Sequence, residues 1–261
     1  MRHRFSGRAA LILLIIIFAG LLQTGCKKDM KIILFSDTDN GFIQEALEKM
    51  NYAYVPCYTM LDFYYNFIDD AWDLVIFDNR QPSPIPGAEE EILNNVYLYA
   101  LMGGKVLINS MYLNNYPAIW AYFGYSYVSS STVPISVYRI NPTGEFWNEP
   151  EAAPDMILSG APDPYGSATN AFKGAAVMSG IKMATFNQSI PGDLNSGAVF
   201  KANAGRTILN AFFLDDAVAA GVPIDGDSDG TADAVEWYMN ELFSLEQAAG
   251  KRVQPQSNPQ N

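Results

Sequence analysis

The chain has 261 residues and a mass of 28.8 kDa, with 16 Lys and Arg against 28 Asp and Glu, a formal net charge of −12. A hydrophobic fraction of 49% suffices for a sizeable core and argues against a disordered chain. The acidity argues against a nucleic-acid partner, which needs clustered bases, and against a polybasic grip on anionic lipid.

The chain opens on an address. Residues 1–8 (MRHRFSGR) are basic, residues 9–22 (AALILLIIIFAGLL) almost wholly apolar, and Gln23-Thr24-Gly25-Cys26 follows. This is the order of a secretory signal. Its apolar run is shorter than the roughly 20 residues that cross a bilayer. The small pair before Cys26 resembles a bacterial lipoprotein signal, although Gln23 stands where that family usually has Leu. The resemblance implies removal of residues 1–25 and a lipid on Cys26, which then holds the protein on the membrane. Lys27 follows, with no Asp beside the cysteine, and by resemblance to the enterobacterial sorting rule this implies the outer membrane of a Gram-negative envelope. Residues 26–29 then form a short tether, 30–249 one domain and 250–261 a loose polar tail. Without Arg2, His3, Arg4 and Arg8, the mature chain keeps 13 bases, 28 acids and no histidine. Most catalytic triads and many zinc sites therefore lack a reagent. Cys57 is left without an intramolecular disulfide partner and reads as a buried, inert thiol.

The body alternates strands and helices. Lys31–Ser36 (KIILFS) is a continuous apolar run of the kind buried in parallel sheets, and Phe42–Met50 has helical apolar spacing. Tyr52–Tyr58 is a weaker strand, Leu61–Ile68 a short helix and Trp72–Phe77 (WDLVIF) a third strand. Ala88–Met102 is a helix with acids in its first turns, closed by Gly103-Gly104. Lys105–Asn109 is a fourth strand and Pro117–Phe123 a helix. Residues 126–140 read as a strand or hairpin, and 141–170 as mostly loop. Ala175–Val177, Ala184–Asn187, Ala198–Lys201 and Arg206–Leu214 are strands, and Ala232–Ala248 is the closing helix. The expected fold is α/β: a three-layer αβα sandwich on a mostly parallel, flavodoxin-like sheet.

The strand ends KIILFSD, WDLVIFDN, GGKVLINS and GRTILNAFFLDD resemble the class I glutamine amidotransferase-like fold, especially its non-catalytic exported versions. In active members a cysteine sits on the turn after a central strand, and a histidine and a glutamate complete the triad. Here that turn reads Asn109-Ser110-Met111, with no cysteine, and Ser110 has no base near it in sequence. The resemblance therefore implies the shape without the amide chemistry. A crevice at the strand ends would be lined by Ser36, Asp37, Asp39, Asp78, Asn79, Arg80, Asn109 and Ser110, with Asp215 and Asp216 nearby or on another edge. The plainer alternative is that these residues cap helices and shape turns.

Residues 225–236 (DGDSDGTADAVE) match the calcium-loop pattern at every position. The oxygen ligands would be Asp225, Asp227, Asp229, the Thr231 carbonyl, Asp233 and Glu236, with Gly230 at the bend. The entering segment, residues 217–224, holds Gly221 and Pro223 and is a poor helix, so the loop resembles dockerin-type half-motifs. Calcium is the expected cofactor, in a structural role; without it, an Asp-rich helix cap remains. Aromatics cluster at residues 63–65 and 112–127, as core or as an exposed platform for sugars. The leading reading is a membrane-anchored, calcium-binding, non-catalytic scaffold of the envelope, with an envelope protein or polysaccharide as partner. The alternatives are a metal-dependent hydrolase using Asp37, Asp39 and Asp78, or a surface adhesion protein.

Overall fold

The computed structural model describes residues 28–38, 41–81, 87–159, 169–188, 193–219 and 221–255. Cys26, Asp39 and the leader lie outside these residues. Five strands form the parallel half of the sheet. They are β1 (Lys28–Ser36), β2 (Tyr52–Cys57), β3 (Leu74–Asn79), β4 (Lys105–Ser110) and β11 (Thr207–Asn210), in the order β2-β1-β3-β4-β11. This is the doubly wound order with a switch point between β1 and β3.

Successive residues of each strand feed opposite faces. Ile32 and Leu34 of β1 join one core with helices α1 (Phe42–Lys49) and α5 (Asp233–Gln247). Ile33 and Phe35 join the other, with α2 (Met60–Asp69), α3 (Ala88–Leu101) and α4 (Pro117–Tyr122). Both faces of the sheet are thus covered, which is why these strands read as unbroken apolar runs. β3 is buried at every position.

Beyond β11 the sheet continues antiparallel, through β10 (Gly197–Ala202), β9 (Ile181–Thr185), β6 (Ile135–Arg139) and β7 (Met156–Leu158). β5 (Tyr125–Thr132) pairs with β8 (Thr169–Ala176). The possible hairpin over residues 126–140 is therefore not made, because β5 and β6 take different partners. The strand expected over Arg206–Leu214 stops at Asn210. Phe212 crosses to bridge Ala171, and Leu214–Asp216 turns into a short 3-10 helix.

The start of the expected loose tail is also docked. Trp72 and Val253 exchange two backbone hydrogen bonds, both 2.9 Å, and Val253 is buried. Arg252 pairs with Asp73 beside it. Cys57 is buried, and burial pushes its thiol up to about 11, the state of an unreactive thiol. Trp120, Phe123 and Tyr125 are core residues, whereas Tyr65 and Tyr127 face outward. Among the described residues, no helix is long and apolar enough to cross a membrane.

Candidate functional site

Parallel register brings four polar residues into one row. Ser36 stands opposite Asp78, Asp78 opposite Asn109, and Asn109 opposite Asn210, across β1, β3, β4 and β11. Each lies two residues beyond an apolar residue of the α1/α5 core, so strand alternation aims all four at that helix layer. All four are buried. The Ser36 hydroxyl donates to Asp78 Oδ2 at 3.2 Å, and Asn109 Nδ2 donates to Asp78 Oδ1 at 3.0 Å. The same amide donates to the Tyr238 hydroxyl oxygen of α5 at 2.6 Å. Asn210 Nδ2 donates to Glu241 Oε2 at 2.9 Å, one turn further along α5. Burial holds the Asp78 carboxyl well above the usual carboxylate range, helped by the charges of Asp215 and Asp37. Burial alone pushes Glu241 up to about 8, against the opposing Asn210 hydrogen bond.

At the mouth of this row sits Arg80. Its guanidinium Nη2 donates to Asp216 at 2.8 Å, and Nη1 lies 3.7 Å from Asp215. The Phe213 ring centroid is 5.4 Å away. The backbone amides of Arg80 and Gln81 donate to Asp37 Oδ2 at 2.9 and 2.6 Å. Desolvation nevertheless raises Asp37 to about 6. Asp215 accepts from the amide of Phe42 at 3.2 Å, so it caps α1, whose own Gly41 has no side chain to do so. The strand ends do converge, but on one another.

Asp37, Asp78, Asn79, Arg80 and Asn109 are brought together here, and Asp215 and Asp216 belong with them. Asn210, Tyr238 and Glu241 were not among the expected residues. The available signal was Glu241 itself, a carboxylate inside the apolar helical period of the closing helix (Ala234, Tyr238, Leu245). Ser110 lies at the end of β4 and is 1% exposed. Its Oγ accepts from the Tyr112 amide at 3.1 Å, the bond of a turn former.

The second cluster is the loop before α5. Carboxylate oxygens of Asp225, Asp227 and Asp229 lie within 4.8 Å of one another, all exposed to solvent. Ser228 and Gly230 are left-handed, at φ 63° and 94°, and make the bend. Asp233 Oδ1 accepts from the Gly226 amide at 2.7 Å, tying the loop to the first turn of α5. Lys49 of α1 reaches the Thr231 hydroxyl at 3.4 Å. Glu236 is the unusual member. It is fully buried, and neither carboxylate oxygen has a hydrogen-bond partner among the described residues. Burial first, and then the charges of Asp227, Asp229 and Asp233, push it up to about 8. A buried carboxylate with both oxygens unpartnered is costly, and a cation beside it removes the cost.

No family model matches the chain, and no curated protein matches it. Solved structures similar to it include a glutamine amidotransferase from Thermotoga maritima, with 9% identity, a TM-score of 0.48, and coverage of 83% of this chain and 98% of that one. PurLQS from the same organism has 13% identity and a TM-score of 0.46, over 83% of this chain and 99% of the other. A glutamine amidotransferase from Methylobacillus flagellatus has 8% identity and a TM-score of 0.43, over 87% and 98%.

Proposed function

We propose that this chain is a lipid-anchored, calcium-stabilised, non-catalytic binding protein of the cell envelope. The observation that carries the calcium is Glu236, buried with two unpartnered oxygens beside the charges of Asp227 and Asp229. The donors are all oxygens, the set a hard cation prefers. Asp225, Asp227, Asp229, Asp233, Glu236 and the Thr231 carbonyl would hold the ion. Bound there, calcium joins the loop to α5, whose buried face packs on the sheet.

The non-catalytic part of the proposal rests on the strand ends. A buried Ser110 whose Oγ serves a turn is a poor nucleophile, and the mature chain supplies no imidazole to activate it. The hydrolase alternative rests on Asp37, Asp39 and Asp78, and of these Asp37 already accepts from the Arg80 and Gln81 amides while Asp78 is buried between Ser36 and Asn109.

Calcium titration followed by thermal unfolding tests the reading. Saturation at about 100 times Kd is expected to add about 2.7 kcal/mol of stability. Glu236→Gln and Asp225→Ala are expected to abolish the gain while both variants still fold. A melting curve that does not respond to millimolar calcium would discard the site.

A further inference from the structure

A cavity of ≈ 420 Å³ opens at the other end of α5, away from the strand-end row. β10 runs antiparallel to β11, so its last residues and the turn after it lie at the opposite rim of the sheet from Asn210. Phe146, Ile181 and Phe243 give the cavity an apolar wall, and Lys201, Ser244 and Glu145 give it a polar one.

Lys201 is half-buried. Its ammonium donates to the Ser244 hydroxyl oxygen at 2.7 Å and lies 5.4 Å from the Phe146 ring centroid. Among the described residues no carboxylate comes within 4.0 Å of it, and burial depresses its pKa while the more distant Glu145 opposes that shift. An ammonium has three N–H donors, so two remain for a ligand. The Ser244 hydroxyl hydrogen likewise has no acceptor among the described residues. The turn at residues 203–205 keeps the space beside this charge clear. Asn203, Ala204 and Gly205 are all left-handed, at φ 54°, 56° and 83°. A Cβ on Gly205 would come within 3.0 Å of Lys201 Cε.

We infer that this cavity binds a small carboxylate with an apolar body, held by the Lys201 ammonium and the Ser244 hydroxyl and packed against Phe146 and Phe243. A carboxylate fits because its two oxygens match two donors set side by side, and its charge answers a half-buried cation that has no ion pair within 4.0 Å among the described residues, the more distant Glu145 of the same cavity wall acting on it only through space. The rest of the ligand meets hydrocarbon and ring faces. The protein as a whole is strongly acidic and repels anions at a distance, so binding comes from the cavity itself.

Isothermal titration of the purified full chain with 3-phenylpropionate tests this, with 3-phenylpropionamide as the uncharged control and with calcium both present and absent. Saturable binding of the acid, and none of the amide, is expected. Lys201→Met is expected to weaken the acid at least about tenfold, Ser244→Ala several-fold, and Lys201→Arg much less than Lys201→Met. Equal binding of acid and amide, binding indifferent to Lys201→Met in a protein that melts normally, or no binding of the acid up to about 10 mM would each overturn the inference. None of these outcomes depends on whether the loop at residues 225–236 takes calcium.

Discussion

Glu241 and Arg80 are two charged residues that the fold treats in opposite ways. Glu241 is fully buried with one amide donor, and its other oxygen has no partner among the described residues. Its carboxyl is raised to about 8 in the folded protein, from a free value near 4.3. The folded state therefore holds a proton that the unfolded chain gives up between those values. This group's contribution to stability is present below about pH 4 and is lost progressively as pH rises to about 8. Glu241→Gln, which keeps shape and stays neutral, is expected to remove that slope. At pH 9 the variant should be the more stable by on the order of 5 kcal/mol, read as the denaturant midpoint against pH. Identical slopes in the two proteins would mean that the carboxylate is stabilised in some other way. Arg80 is the reverse case, a cation the fold needs. Arg80→Met strands the buried Asp215 and Asp216 and is expected to cost about 3 kcal/mol. Adding Asp216→Asn should recover part of it, because the two residues touch and their effects are not additive.

At the scale of elements, legibility followed burial. β1, β3 and β4 read clearly because both their faces are covered, so an unbroken apolar run (residues 32–35, 74–77 and 106–108) leads to each strand end. For the same reason Ser36, Asp78 and Asn109 stood out as the first polar residues after each run. Asn210 did not, because apolar residues follow it as well as precede it, in a segment that leaves the sheet there. The antiparallel extension was hard to read for a different reason. β5 is rich in Ser and only partly buried, and its paired residues in β8 lie 37 to 51 positions away, so no local turn announces the pair. The closing helix was legible from its period, but not its grip on the sheet through Tyr238 and Glu241. The docked residues after Gly250 were hidden by their polar composition; a single Val253 bridging Trp72 leaves almost no pattern. Removal of residues 250–261 would unpair Trp72 and break the Arg252–Asp73 pair. A loss of about 2 kcal/mol is expected, a fall in Tm of roughly 4–8 °C for a chain of this size. An unchanged melting temperature would mean that the docked segment contributes nothing.

For the whole molecule, the two ends of α5 serve different purposes. Its first turn carries two of the proposed calcium ligands, Asp233 and Glu236, and its last turns wall the cavity around Lys201. Both ride on one sheet whose first strand begins at Lys28, two residues after Cys26. If Cys26 carries lipid, the folded body starts at the membrane surface with almost no stalk. The mature chain's excess of acids would then face anionic headgroups and be repelled by them. Attachment would depend wholly on the acyl chains, which bind through hydrocarbon burial and not through charge. Two expectations follow, and they separate this arrangement from a peripheral one. Wild-type protein should stay with the membrane fraction through a wash at high salt, since screening removes only electrostatic attachment. Cys26→Ser should move it to the soluble or uncleaved pool, and the exported soluble form should not rebind isolated membranes at low salt. A Cys26→Ser protein that is cleaved, folded and still sediments with membranes would show that a surface of the folded body holds it there. The exposed Leu61 and Tyr65 of α2 would then be the first residues to replace with Ser.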